Sequence, residues 1–276
     1  MKILHLSDLH FHFEDPISDL LIRFEKMLLF LKDNTTIDHV VITGDHILFS
    51  DPEKNFEIFN DFIFILKNKL SIDSSRIHMC SGNHEWIPMS GDPFKNCSDD
   101  YMQEKCSGLS YISSYEKICE RKWEDHGMVE VVEDENTVLV IADAFFGKDN
   151  NNKGYFLRNC KKLNKIISEY FVNDNRIHVI AQHAREEYYC HSCDNTVCIP
   201  SDTIILCGHK LFLHSNITLK RGVGECIYSG ISDGFVGEHP VYGIIETGGN
   251  GTNVKFFEYS DNEWKWMRSG NDKRCS

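Results

Sequence analysis

Acidic, amide and imidazole side chains follow five short apolar segments of the sequence. They are Asp8 and His10, Asp45, Asn83 with His84, His183, and His209. Carboxylate oxygen, amide oxygen and imidazole nitrogen together suit Mn²⁺, Fe or Zn²⁺ better than they suit a purely oxygen-preferring ion. Without His84, the six remaining groups still exceed the needs of one catalytic metal with an open position. They suit two ions about 3.5–4 Å apart, with a bridging carboxylate and a bridging water.

A metal pair of this kind has a defined chemistry. It lowers the pKa of the bridging water, so that hydroxide is available near neutral pH, and it clamps a phosphoryl oxygen. Glycines directly precede Asp45, Asn83 and His209, which allows the backbone to turn sharply and bring each side chain close. Each cluster alone is a weak signal, but five in order, each after a short apolar segment, strongly indicate one site.

Strands and helices must alternate to place these residues together. Strands are predicted at Lys2–Ser7, His39–Thr43, Arg76–Ser81, Arg176–Ala181 and Thr203–Cys207. Helices are predicted at Pro16–Lys32, Pro52–Leu70 and Asn159–Val172. Because ligands bind at the carboxyl edge of open α/β sheets, the polar residues that follow these strands are expected to meet there.

The remaining segments have weaker patterns. Val129–Val132 and Thr137–Ala142 are predicted to form a hairpin, and Ile217–Trp266 alternates like antiparallel strands with a turn at Gly248–Gly251. Trp86–Trp123 is predicted to hold loops and short helices. No linker or repeat divides the chain, so one domain over residues 1–276 is expected.

The order of the motifs resembles the calcineurin-like metallophosphoesterase superfamily. The motifs are Asp8-x-His10, Gly44-Asp45, Gly82-Asn83-His84-Glu85, His183 and Gly208-His209. The resemblance implies an α/β fold, a four-layer α/β/β/α sandwich with a dimetal site at the carboxyl ends of the strands. It also implies a metal-dependent phosphoesterase that hydrolyses a phosphomonoester or phosphodiester, nucleotides included, with a metal-bridging hydroxide as the nucleophile.

The resemblance also implies a role for each motif residue. Asp8 and His10 are expected to bind the first metal, with Asp45 as the bridging ligand. Asn83, His183 and His209 are expected to bind the second metal. His84 matches the histidine that binds no metal, contacts the phosphate and protonates the leaving oxygen.

Two positions depart from the family pattern. Leu211 stands where the family usually has a second histidine, and only a bulged loop would let His214 replace that ligand. Leu48 stands where some members have an aspartate that orients the catalytic histidine. The sequence therefore predicts a weaker first metal site and leaves open which group orients His84.

Three side chains beside the motifs have alternative interpretations. His12 and His46 either contact the substrate phosphate or are packed or solvated, and the second interpretation is favoured. Glu85 is expected to turn the chain or bind groups behind the site rather than act as a base.

A Cys-rich insertion over residues 186–202 carries Cys190, Cys193 and Cys198, with a C-x-x-C spacing that suits a structural zinc. A redox pair and idle thiols are the alternatives.

Composition limits the partners of the protein. With 29 Lys and Arg against 42 Asp and Glu, the net charge is −13, which disfavours an extended nucleic-acid or anionic-membrane surface. A small phosphoester or nucleotide is the favoured substrate, and nucleic acid is less favoured. No apolar run reaches the length of a membrane span, no signal peptide is evident, and the odd count of 11 cysteines suits a reduced, cytoplasmic protein.

Two alternative functions stay open at this stage. The first residues are similar to those of DNA-repair exonucleases of the Mre11/SbcD type, although the chain leaves little length for a DNA-capping domain. A non-catalytic scaffold on the same fold, as in the retromer scaffold subunit, is the alternative from another class.

Overall fold

Two six-stranded sheets lie face to face in the computed structural model of the protein. The structure describes residues 1–12, 14–15, 17–48, 51–82, 84–86, 108–123, 129–149, 152–157, 160–172, 174–183, 199–208, 218–220, 225–228, 240–249 and 251–267. The strands are β1 (Lys2–Leu6), β2 (His39–Thr43), β3 (Ile77–Cys80), β4 (Val129–Glu133), β5 (Thr137–Ala142), β6 (Ala144–Asp149), β7 (Asn152–Leu157), β8 (Ile177–Ala181), β9 (Ile204–Cys207), β10 (Thr218–Lys220), β11 (Glu225–Tyr228), β12 (Val241–Gly248), β13 (Gly251–Ser260) and β14 (Glu263–Trp266). The helices are α1 (Ile17–Asn34), α2 (Pro52–Leu70), α3 (Gly108–Cys119) and α4 (Cys160–Tyr170).

The first sheet has the order β14-β13-β12-β1-β2-β3, and the second has the order β10-β11-β9-β8-β5-β4. Strands β1, β2 and β3 are parallel to one another, as are β5, β8, β9 and β11. Strands β12, β13 and β14 continue the first sheet in antiparallel fashion. The carboxyl ends of the parallel strands therefore form the sheet edge at which the sequence predicts the metal site.

Three apolar cores separate four layers. Helices α1, α2 and α3 pack on the outer face of the first sheet, helix α4 packs on the outer face of the second, and a third core fills the space between the sheets. The alternation within one strand explains this division: Val40 and Ile42 of β2 face the helices, whereas Val41 faces the other sheet. The predicted four-layer α/β/β/α fold is confirmed.

Local sequence signals explain the helix that follows β2. Asp51 caps α2 by accepting a hydrogen bond from the backbone N–H of Lys54, and Pro52 occupies the first turn. Apolar residues recur every three or four positions along it, and they are buried against the first sheet and α3. Ser71 ends the helix in the left-handed conformation.

The structure refines the sequence-based prediction in one segment and differs from it in another. Between residues 108 and 119 the chain forms a helix of 12 residues, α3, whose Tyr111, Tyr115 and Ile118 are buried at helical spacing. Strands β6 and β7 form an antiparallel pair that the sequence pattern did not indicate. Within the described residues, no helix is long and apolar enough to cross a membrane.

A chain of polar side chains joins β2 and β3 of the first sheet to β4 of the second. His39 Nδ1 lies 3.0 Å from His78 Nε2, and His78 Nδ1 lies 3.1 Å from Glu130 Oε1 of the second sheet. Arg121 pairs with Glu130 and donates to the carbonyl of Ile77. Burial lowers the pKa of His78 to about 3, with a further contribution from Arg121. Burial also lowers the pKa of His39 to about 4, and the proximity of His78 adds to it.

These two histidines predict an acid-sensitive fold. Between pH 6.5 and about 4 the unfolded chain binds protons that the folded chain does not, so the free energy of unfolding decreases as the pH falls. Substitution His78→Gln removes one such group, and the slope of unfolding free energy against pH should become shallower by about 1 kcal/mol per pH unit. Urea denaturation at several pH values measures this slope. Parallel lines for the two proteins would contradict the prediction.

Candidate metal centre

The loops after β1, β2, β3 and β8 converge at one edge of the two sheets. Backbone hydrogen bonds hold the first two loops together, from Asp8 N to Gly44 O at 3.1 Å and from His10 N to Asp45 O at 3.0 Å. On the second sheet, Gly208 N donates to His183 O at 3.0 Å. These main-chain hydrogen bonds therefore fix the positions of the loops that carry the candidate ligands.

Asp45 lies at the centre of this edge. Its Oδ2 is 3.4 Å from His183 Nε2, 3.8 Å from His84 Nε2 and 3.9 Å from His10 Nε2. Its Oδ1 accepts a hydrogen bond of 3.0 Å from the backbone N–H of His84. The carboxylate is 2% exposed, so three imidazoles surround a buried negative charge.

Two groups of candidate ligand atoms share this carboxylate. His10, Asp45 and His84 form one group, and Asp8, Asp45 and His183 form the other, with the ligand atoms of each group within 4.8 Å of one another. Membership of Asp45 in both groups matches the bridging position expected for it. His84, expected to bind no metal, lies as close to Asp45 as His10 does.

Backbone contacts select the ring nitrogen that His183 presents. Its Nδ1 lies 2.7 Å from the carbonyl oxygen of Thr43, so this nitrogen carries the proton and Nε2 faces Asp45. Metal-binding histidines commonly have such a carbonyl partner on the second nitrogen. Burial opposes charge on this ring, but the carboxylates of Asp45 and Asp8 outweigh burial and raise the pKa of His183 to about 10.

The other groups have opposite pKa shifts. Burial lowers the pKa of His10 to about 4 despite the nearby Asp45, so its ring is neutral at neutral pH and able to bind a cation. Burial alone would raise the pKa of Asp45, but His183 and His84 together hold it well below its usual value. The site thus combines an ionised carboxylate with a neutral imidazole.

The backbone is strained at three of the predicted ligands. Asp8, His10 and Asp45 have φ values of 51°, 50° and 50°, in the left-handed region that residues other than glycine rarely adopt. Such strain concentrates at functional sites, where the surrounding hydrogen bonds maintain it.

Close backbone approach explains the glycine before Asp45. Gly44 has φ 78°, and a Cβ there would lie 2.5 Å from Gly82 N and 2.6 Å from His183 Nδ1. At Gly208, a Cβ would overlap Ser7 Oγ and Asp8 Oδ2. A side chain at position 44 would push the loops apart at His183, and one at position 208 would displace Ser7 and Asp8.

Glu85 holds two of the loops from behind. Its Oε2 accepts hydrogen bonds from Asp45 N at 2.9 Å and Gly82 N at 2.6 Å, and its Oε1 accepts from His46 N at 2.8 Å. Burial opposes its ionisation, but His46 and the backbone donors lower the pKa of Glu85. The structure thus places Glu85 behind the site, as the sequence indicated.

His46 is packed rather than available to a substrate. Its side chain is fully buried, stacks on Tyr111 with ring centroids 5.4 Å apart, and places Nδ1 3.2 Å from Glu85 Oε1. The substrate-contact interpretation of His46 is wrong in this structure, because α3 covers its ring. His12 belongs to neither ligand group, and its Nδ1 accepts from the backbone N–H of Glu14 at 3.3 Å.

Sequence reasoning missed two polar residues of the site. Asp143 directly follows β5, is buried, and accepts hydrogen bonds from the N–H and the hydroxyl of Ser81. Ser7 places Oγ 2.6 Å from Asp8 Oδ2 and 2.8 Å from Thr43 O. The position of Asp143 at the carboxyl end of an apolar strand was the one signal in the sequence that could have indicated it.

Several predicted residues lie outside the described part of the chain. They are Asn83, His209, Leu211, His214, Cys190, Cys193 and Cys198. Their expected roles, including a structural zinc in the Cys-rich insertion, stay predictions. Asp8, His10, Asp45, His84 and His183 are the predicted site residues that the structure brings together.

The described residues fit a pair of divalent cations. Two carboxylates and three imidazoles are the ligand types that Mn²⁺, Fe and Zn²⁺ accept. Backbone of Gly44 and Gly82 fills the space beside His183, which sets the approach of that ring to Asp45. The arrangement can therefore hold cations against Asp45 and bind an anion through them.

A model of the calcineurin-like phosphoesterase family matches residues 1–211. None of the curated proteins compared matches the chain. Among solved structures, the protein TT1561 of Thermus thermophilus is similar at 10% identity and a TM-score of 0.48, over 92% of this chain and 97% of that one. A structure described as a novel archaeal phosphodiesterase is similar at 14% identity and a TM-score of 0.40, over 92% and 98%. A single mutant of Vps29 from Entamoeba histolytica has 13% identity and a TM-score of 0.37, over 97% of both chains.

Glu85 provides a test of how the site is held. Substitution Glu85→Gln replaces one acceptor oxygen by an NH₂ group that faces backbone N–H donors, which should lower the free energy of unfolding by about 1–3 kcal/mol. The matched control is Glu57→Gln on the exposed face of α2, with a change within about 0.5 kcal/mol. Urea denaturation measures both. Equal effects of the two substitutions on the free energy of unfolding would show that Glu85 does not hold the loops together.

Proposed function

Because the chain belongs to the calcineurin-like phosphoesterase family, we propose that it is a metal-dependent phosphoesterase acting on a small phosphomonoester or phosphodiester. The observation that carries the proposal is the buried Asp45 carboxylate, with Asp8 and three imidazoles around it. Nucleotides fall within this substrate class. Water would cleave a phosphomonoester into an alcohol or nucleoside and inorganic phosphate, and a phosphodiester into an alcohol and a phosphomonoester.

The chain would hold two divalent ions, Mn, Fe or Zn. The proposed ligands are Asp8, His10, Asp45, Asn83, His183 and His209. When bound, the ions would lower the pKa of a water molecule and neutralise charge on the phosphoryl oxygens. The contribution of the chain is to fix the ligands, through Thr43 O on His183 and through the backbone contacts among the loops.

His84 is proposed to protonate the leaving oxygen. Its side chain is 19% exposed, compared with 9% for His10 and 0% for His183, so a substrate reaches this ring more readily than the other two. Its Nε2 lies 3.8 Å from Asp45 Oδ2, which keeps this ring nitrogen beside the site. A positioned acid of this kind typically contributes 10²- to 10⁴-fold in rate.

The charge of the protein favours small substrates. A net charge of −13 repels a long polyanion, whereas cations at Asp45 would attract one phosphate group locally. We therefore favour small phosphoesters over nucleic acid. We also propose that residues 1–276 form a single domain with residues 186–202 as an insertion. We propose further that the chain is cytoplasmic, since Cys80 and Cys119 are free thiols.

Hydrolysis assays test this function. Purified protein with Mn²⁺ should cleave 4-nitrophenyl phosphate, bis(4-nitrophenyl) phosphate or both, and Asp45→Asn should lower the rate by about 100-fold or more because it removes the central charge. The matched control is Asp61→Asn, at an exposed position of α2, which should retain the wild-type rate. Failure to cleave either ester, or full activity of Asp45→Asn, would overturn the proposal. The scaffold alternative would then be preferred.

The role of His84 predicts a dependence on the leaving group. Substitution His84→Gln should cost about 10²-fold or more with an alkyl phosphate, whose leaving oxygen needs a proton, and much less with 4-nitrophenyl phosphate. His39→Gln, at the opposite end of the sheets, serves as the control histidine substitution. Rates at saturating substrate measure the effect. An equal loss on both esters would rule out proton donation by His84.

A further inference from the structure

Asp143 connects the second sheet to the loop that carries His84. It follows β5 directly and is 2% exposed. Its Oδ1 accepts two hydrogen bonds from Ser81, one from the backbone N–H at 2.6 Å and one from the hydroxyl at 2.5 Å. Strands β3 and β5 belong to different sheets, so this contact joins the sheets at the edge where the site lies.

Ser81 is the residue at which the loop after β3 begins. The following residue, Gly82, donates to Glu85 Oε2 at 2.6 Å, and His84 N donates to Asp45 Oδ1 at 3.0 Å. The loop is therefore held at its start by Asp143 and farther along by Glu85 and Asp45. Two of these three carboxylates come from outside the loop, and Asp143 is the one from the other sheet.

The crowding of this loop shows why its start must be fixed. A Cβ on Gly82 would lie 2.5 Å from Asp45 N and 2.9 Å from His183 Nε2. A small movement at Ser81 would carry Gly82 into or away from these groups. A shift of this kind would also change the distance between His84 and Asp45, since His84 N is bonded to that carboxylate.

We propose that Asp143 is a positioning residue of the metal centre: through Ser81 it fixes the loop that holds Gly82 and His84 against Asp45. Its effect on hydrolysis rests on the function proposed above, but its effect on cation binding does not. Residues that support metal ligands from behind typically contribute 10- to 100-fold in affinity or activity. Asp143 carries this role without contacting the substrate.

Calorimetric titration with Mn²⁺ alone tests the proposal. Asp143→Ala should weaken Mn²⁺ binding by about tenfold. Asp143→Asn keeps an acceptor oxygen for the Ser81 N–H and should bind more tightly than Asp143→Ala. The matched control is Asp134→Asn, since Asp134 accepts a backbone N–H from Asn136 at the opposite end of β5. Wild-type affinity in Asp143→Ala, with the fold intact by circular dichroism, would overturn the proposal.

A second pair of variants keeps the proposal testable if Asp143→Ala does not fold. Ser81→Ala removes the hydroxyl donor and leaves the backbone donor, so it should weaken Mn²⁺ binding less than loss of the carboxylate. Because both groups act through one contact, Ser81→Ala combined with Asp143→Asn should weaken binding by less than the product of the two single effects. Independent, multiplicative effects would overturn the proposal.

Activity then separates this inference from the function proposed above. Asp143→Asn should lower the turnover number more with an alkyl phosphate than with 4-nitrophenyl phosphate, while KM changes little, because His84 is displaced rather than removed. If the wild-type protein binds Mn²⁺ but hydrolyses neither ester, the phosphoesterase function is wrong. The calorimetric comparison of the Asp143 variants still tests the positioning role in that case. Equal losses on both esters would reject positioning of His84.

Discussion

The buried negative charge of Asp45 is the constraint on which the rest of the site depends. A carboxylate out of contact with water is costly unless positive charge or hydrogen-bond donors face it. Three imidazole nitrogens between 3.4 and 3.9 Å and one backbone N–H supply that environment. The pKa of His183 is raised for the same reason, because a proton on this ring balances the negative charge of Asp45. A bound cation would balance the charge of Asp45 equally well, so this arrangement suits a metal centre.

Hydrogen bonds from several loops are needed to hold the Asp45 carboxylate in its position. Asp8, His10 and Asp45 have left-handed backbone conformations that cost free energy, and hydrogen bonds between the loops offset that cost. Glu85 binds the loop after β2 and its own loop together, and Asp143 fixes the latter loop to the second sheet. The two carboxylates thus fix the relative position of Asp45 and His84, and the proton transfer proposed for His84 requires such a fixed position.

Much of this site could be predicted because short apolar strands that end in polar residues are local patterns. Those patterns placed Asp45 and His183 correctly at one edge, and the strand and helix bounds differ from the predictions by only a few residues. Tertiary packing decided what the sequence left open. His46 is buried because α3, which has no strong local signal in the sequence, covers it. Asp143 is not part of a polar motif in the sequence, and only the packing of the two sheets brings it to Ser81.

Crystals grown with Mn²⁺ and measured for anomalous scattering test the central claim most directly. The account predicts two anomalous peaks about 3.5–4 Å apart, on either side of the Asp45 carboxylate and within bonding distance of it. His183 should contact one of them through Nε2. Peaks distant from Asp45, or none in a crystal whose protein is folded and saturated with Mn²⁺, would contradict it.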